Sequence, residues 1–364
     1  MIKNNDIISP YQIAMIIIMT VISVGVFSIA ADAAKAAGTD GWIVVVLAGV
    51  INIPALLIIV KLNSSFPGKT FAEYSQKIIG VIPGKILTCL FAAYLLLVIA
   101  YVTRSFTEVV KMFLLFRTPT EVIMLSLILV CTYIVRGGAE CIGRINELTF
   151  PIVFVPFFLV LIFGLPNLDF SNLLPALQAS PGKMVSAIPP LIFSYGGIEL
   201  ALFYIGFMKS PKKAYKPAMI ALIFITLFLT IITVLCIAAF GPEATQQFLW
   251  PLVSYIRAIS LPGLFIERLD GVILTLWMLT VFTTMVSSYF VVGYSISKVV
   301  GTKEQKQYIL PLSIVIYYLA LQPDSLATLY NWGSRIFPYT ISTFLYVVPV
   351  FLLIVTKIRK LGVR

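Results

Sequence analysis

Residues 193–200 read FSYGGIEL and lie inside an apolar stretch, 184–208. Both glycines and the carboxylate are poor choices for an ordinary membrane helix. Glycine weakens a helix interior by about 1 kcal/mol relative to alanine, and an ionisable group at membrane depth is costly and calls for a partner or a cavity. A second apolar stretch holds SVGVFS at 23–28, again with a glycine near its middle. A helix that unwinds in a bilayer frees N–H and C=O groups that water, protein or a ligand must satisfy. The N-terminus of a half-helix suits a carboxylate and the opposing end an ammonium; a free amino acid carries both. The candidate contacts are Ser23, Val24, Gly25 and Val26 on one side, and Phe193, Ser194, Tyr195, Gly196, Gly197 and Glu199 on the other. The plainer reading is that the glycines allow close helix packing. Glu199 is read three ways: it binds a ligand ammonium, relays a proton, or holds a broken helix together.

The elements that position these residues follow from composition. The chain of 364 residues is 60% hydrophobic and 11% charged, more apolar surface than a soluble domain hides. It reads as an all-α integral membrane protein and a single polytopic domain, 1–364. A span needs about 20 apolar residues, and ten are expected, at 9–34, 40–61, 84–112, 119–136, 144–165, 184–208, 216–240, 266–298, 307–322 and 335–357. The segment KTFAEYSQKIIG (69–80) is amphipathic and is expected along the membrane surface. The start MIKNNDIISPYQ is polar and predicts no cleavable signal. With the N-terminus inside, 18 of the 26 Lys and Arg residues fall on the inner side, so both termini are expected inside. The net charge of +11 therefore serves topology rather than nucleic acid. Trp42, Trp250 and Trp332, near span ends, are expected at the membrane interfaces.

Several chemistries are unsupported. Histidine is absent, removing the usual general base and commonest metal ligand. Cys89, Cys131, Cys141 and Cys236 lack metal-ligand spacing and read as small buried apolar residues. No nucleophile–base pair or phosphate loop is visible, so an enzyme is not expected, and neither a cofactor nor a metal is. The first and sixth of ten spans are corresponding members of two five-span halves, about 9–165 and 184–357. Glycine-interrupted spans at matched positions are the sequence signature of a transporter-like binding site.

The pieces ISPYQIAMIIIMTVISVGVFSIA (8–30), FPGKTFAEYSQKIIG (66–80), RSFTEVVKMFLLFRTP (104–119), GGIE (196–199) and SPKKAYKPA (210–218) come in an order and spacing that resembles a known family. The chain is similar to the spore germination permeases, the B subunits of nutrient germinant receptors, within the amino acid–polyamine–organocation transporter superfamily. The resemblance implies a five-plus-five inverted repeat with broken helices 1 and 6. It also implies a larger A subunit and a lipoprotein C subunit as partners, the inner spore membrane as location, and a small nutrient, an amino acid first, as ligand. The superfamily places substrate between the broken helices, with the third and eighth spans closing the site. This adds Tyr101, Thr283, Thr284 and Ser287 as wall residues, with ordinary helix packing as the plainer reading.

Glu108 stands four residues after Arg104, so the two share a helix face. They read either as a charged network lining a wet path or as an ion pair at the outer end of a long helix, of little energetic weight. ERLD (267–270) reads as an outer gate or an interfacial anchor. The fifth span lacks the lysine that proton-coupled superfamily members can use, and no sodium-site pattern is recognisable, which weighs against ion-coupled uptake. The leading expectation is a nutrient receptor subunit on a transporter fold that helps trigger germination. A working small-solute transporter is the alternative, and a channel or scaffold subunit without its own ligand is the third.

Overall fold

The computed structural model describes residues 6–259, 269–302 and 304–362, and every regular element among them is helical. Ser9 starts the first helix. Its hydroxyl accepts from the Gln12 N–H at 3.1 Å, and the Gln12 side chain accepts from the Ser9 N–H at 3.0 Å. This reciprocal cap satisfies two orphan donors, and Pro10 supplies a preset first-turn φ. Helix α1 (Pro10–Val21) ends before a short break, and the chain resumes as α2 (Gly25–Ala37). There follow α3 (Gly41–Ser65), the short α4 (Phe71–Ile79), α5 (Val81–Phe113), α6 (Thr120–Val135) and α7 (Ala139–Phe163).

The next unit is fragmented. It comprises α8 (Pro181–Ser186), α9 (Ile188–Leu191) and a 3-10 turn to Tyr195. After the two glycines come a second 3-10 turn, α10 (Ala201–Tyr204) and a third turn to Phe207. The two limbs are bent by 57°. Then come α11 (Tyr215–Thr245), interrupted at Gly241, α12 (Pro251–Ala258), α13 (Leu269–Val300) and α14 (Lys306–Leu321). The chain ends with α15 (Leu326–Ser342) and α16 (Val348–Ile358), joined by a π turn.

Among the described residues, six helical units are long and apolar enough to cross a membrane, and the bent pair makes a seventh. Helices α1, α6 and α14 are apolar but shorter, at 12, 16 and 16 residues. At 1.5 Å per residue α6 and α14 reach only ~24 Å, short of the ~30 Å hydrocarbon core. The expected boundaries at 144 and 335 move outward to 139 and 326.

The expected surface helix is α4, and its ends explain its place. Glu73 accepts from the Thr70 N–H at 3.0 Å and from the Lys298 ammonium at 2.8 Å. The Arg359 guanidinium donates to the Ile78 carbonyl at the other end. Burial opposes the charge on Glu73, but the Lys298 and Thr70 bonds outweigh it and hold the carboxyl below its usual range.

On the opposite face, Asp40 is fully buried at the α2–α3 turn and accepts from the N–H groups of Leu177 and Ala179 at 2.6 and 2.8 Å. Bonds to charged groups contribute about 1.5–3 kcal/mol each. Asp40→Ala is therefore expected to release the segment 174–179. Amide exchange at Leu177 and Ala179 should rise tenfold or more, by roughly the ~1.4 kcal/mol that a factor of ten represents, while α11 stays protected. Unchanged exchange there would mean that packing, not Asp40, holds the segment.

Candidate functional site

The two interruptions face each other. A Cβ added to Gly25 would stand 3.0 Å from the Ser194 Cα, and the Ser194 hydroxyl donates to the Gly25 carbonyl at 3.5 Å. Gly197 has φ +114° and packs against Thr20, whose methyl carbon lies 2.9 Å from where a Cβ would sit. The left-handed conformation and the closeness of the two chains make glycine the residue that fits.

Neighbouring elements satisfy the freed backbone groups. The Trp277 indole donates to the Ser23 carbonyl at 3.0 Å. The Thr284 hydroxyl is shared among the carbonyls of Met19, Thr20 and Thr280 at 3.1, 3.4 and 2.8 Å. Glu199 answers the question its sequence position raises. One carboxylate oxygen accepts from the Gly197 N–H at 2.9 Å and the other from the Tyr94 hydroxyl at 2.6 Å. It folds back onto the start of the second limb and ties that limb to α5. The Tyr74 hydroxyl extends the tie by donating to the Leu202 carbonyl at 3.2 Å.

Between the breaks lies a cavity of about 50 Å³. Its polar lining includes Thr20, Ser23, Tyr94, Tyr101, Glu199, Thr284 and Ser288. Ser23 is 4% exposed, and its hydroxyl has no hydrogen-bond partner in the protein. Tyr101 and Phe193 line both this cavity and a larger one next to it, and Phe337 packs against both rings. Their ring centroids are 5.0–5.8 Å apart, two pairs edge-on and Phe193–Phe337 stacked. Beyond these rings a vestibule of about 700 Å³ contains Asp32 and Lys35 of α2.

Of the expected contacts, Ser23, Val24, Gly25, Tyr101, Phe193, Gly196, Gly197, Glu199 and Thr284 line the cavity. The others are engaged elsewhere. Val26 is buried in α2, and Ser194 holds Gly25. The Tyr195 hydroxyl donates to Val45 of α3 at 2.8 Å. Thr283 bonds its own helix, and Ser287 accepts from Asn146 of α7 at 3.3 Å. Sequence reasoning missed Tyr94, Val98, Ser288, Phe337 and Ile341 among the lining residues. Tyr94 stands seven residues before Tyr101, and Ser288 four after Thr284, so helical spacing pointed to both. Phe337 and Ile341 come from α15 and carry no such signal.

Arg104 and Glu108 do form an ion pair, at 2.8 Å, but it is not an exposed one: the side chains are 10% and 21% accessible. The Arg104 Nε has no partner in the protein. Trp250 is not an interface residue. It is 6% exposed, its indole donates to the Tyr330 hydroxyl at 2.6 Å, and it packs on Phe27 and Phe113. Cys131 and Cys236 are buried as expected, whereas Cys89 is exposed. Of ERLD, Glu267 and Arg268 lie outside the described residues; Asp270 pairs with Arg257 of α12 at 3.0 Å.

Two interrupted helices packed break to break, with a cavity between them, define a transporter-type membrane fold, and solved structures bear this out. A nucleobase-cation-symport-1 family transporter, MHP1, superposes with TM-score 0.71 over 96% of this chain and 78% of its own at 13% identity. MhsT in complex with L-phenylalanine gives 0.69 over 97% and 99%, also at 13% identity. The family described as spore germination protein matches residues 7–327, and the chain belongs to that family. It is 29% identical over 356 residues to spore germination protein YndE of Bacillus subtilis, covering 98% of both chains. It is 26% identical to spore germination protein A2 of the same organism over 97% and 96%. Against GerQB of Bacillus cereus it is 28% identical over 86% and 85%. The chain is thus a multi-pass, spore germination permease-like membrane protein.

Proposed function

We propose that this protein is the nutrient-binding membrane subunit of a germinant receptor. It holds a small solute, an amino acid first, between its broken first and sixth spans and passes the bound state to partner subunits. In this reading ten spans form two halves, 9–165 and 184–357, with both termini inside, in the inner spore membrane. An A subunit and a lipoprotein C subunit are the partners. The observation that carries the reading is the Ser23 hydroxyl, buried at the break, on the cavity, and without a partner in the protein. A buried hydroxyl left unpaired costs about 1–3 kcal/mol, and a solute in the cavity would satisfy it. Binding matters only if the solute prefers one arrangement of the helices.

The test is the thermal midpoint of the chain in lipid nanodiscs against single amino acids, sugars and nucleosides, since a ligand of the native state raises it with concentration. Ser23→Ala should leave the ligand-free midpoint unchanged or slightly higher, while weakening the response about tenfold, the ~1.4 kcal/mol of one hydrogen bond. A Ser23→Ala chain that responds like wild type would remove the cavity from the reading. The alternative, a working transporter, is favoured by the vestibule and cavity lying in series. Saturable solute uptake into vesicles would support it, and binding without flux would support the receptor.

A further inference from the structure

The central cavity, at about 50 Å³, is far smaller than the vestibule at about 700 Å³. Ligand pockets generally run ~300–1,000 Å³, so only the vestibule has the room as it stands. It opens to the surface through exposed Gln246, Gln247 and Lys35. Asp32 and Lys35 stand three residues apart on α2, on one helix face. The two do not close into an ion pair within 4 Å; Asp32 has the Ser28 hydroxyl as a hydrogen-bond partner, and the Lys35 charge lies near enough to act on it. A carboxylate and an ammonium side by side, each left open to a third group, match the two charges of a zwitterion. Phe193 and Phe248 supply apolar wall beside them.

We propose that this vestibule is a docking site for a free α-amino acid, its ammonium on Asp32 and its carboxylate on Lys35, before the aromatic floor of Tyr101, Phe193 and Phe337 admits it. The proposal rests on the reading of the chain as an amino-acid-binding subunit and adds the place of first contact and the two side chains that make it. Each contact is a charge-assisted bond. The site selects for the two head groups and leaves the side chain to the apolar wall.

The experiment uses the full chain in nanodiscs and the twenty proteinogenic L-amino acids, each titrated singly by thermal midpoint. An amino acid that raises the midpoint is then compared with its methyl ester, which lacks the carboxylate, and its N-acetyl derivative, which lacks the ammonium. Both should bind wild type about ten- to a hundredfold more weakly, the ~1.5–3 kcal/mol of a bond to a charged group. Asp32→Asn should weaken the parent amino acid and lose the discrimination against the N-acetyl derivative. Lys35→Gln, at an exposed position that does not threaten folding, should lose the discrimination against the ester. Unchanged discrimination in both variants overturns the proposal. If those variants bind as wild type while Ser23→Ala fails to respond, the central cavity alone is the site. If no amino acid raises the wild-type midpoint, the docking site and the amino acid reading fall together.

Discussion

Gly197→Ala is expected to prevent recovery of folded protein, or to lower its melting midpoint in nanodiscs by roughly 10 °C. A side chain held at φ +114° costs about 1–3 kcal/mol. The added Cβ would also sit 3.1 Å from the Thr20 carbonyl carbon, a backbone atom that cannot swing aside, and overpacking of this kind costs about 1–3 kcal/mol more. Gly196→Ala is the control. Gly196 has φ −59°, which any residue adopts, and its added Cβ would meet the far end of the Ile341 side chain at 2.7 Å and the Phe193 carbonyl oxygen at 3.1 Å. That substitution should be mild. Equal midpoints for the two variants would show that backbone strain at the break is not what selects glycine.

Glu199→Ala is the second large effect. It strips the partners from the Gly197 N–H and the Tyr94 hydroxyl, both buried. Each orphaned group costs about 1–3 kcal/mol, so about 2–6 kcal/mol is expected from the pair. Glu199→Gln keeps the shape and one acceptor oxygen; it should stay folded and respond more weakly to solute. A double-mutant cycle with Tyr94→Phe separates this bond from general damage. Partners in direct contact couple by about 0.5–3 kcal/mol, so strictly additive losses in Glu199→Ala and Tyr94→Phe would show that the bond adds nothing to stability.

The breaks themselves were legible because two glycines and a carboxylate violate membrane-helix preferences at one spot. What Glu199 does was not, because its second partner, Tyr94, is 105 residues away in sequence. The periodicity of α5 pointed to Tyr94 once Tyr101 was chosen, and that step was missed. On α13, Thr284 lines the cavity, whereas Ser287 faces α7. Adjacent positions on a helix differ by about 100°, so Ser288, not Ser287, lines it. Trp250 shows the limit of composition rules. Tryptophan at a span end is usually interfacial, but here the loop before α12 folds inward and carries it onto Phe27 and Phe113. Two rings of the aromatic floor, Tyr101 and Phe193, were among the expected contacts, but their closure into a floor was not legible, since the third ring, Phe337, comes from α15.

That floor sets a scale for switching. Three ring pairs at about 0.5–1.5 kcal/mol each hold the two compartments apart by some 2–4 kcal/mol, so the parted arrangement would be populated on the order of 1% of the time without ligand. Turning such a minority into a 99% majority takes about 5.5 kcal/mol of differential affinity. Bonds to Asp32 and Lys35, which lie in the vestibule outside the closed floor, are made in both arrangements and shift nothing, so the difference must come from contacts made only once the floor parts, the Ser23 hydroxyl among them.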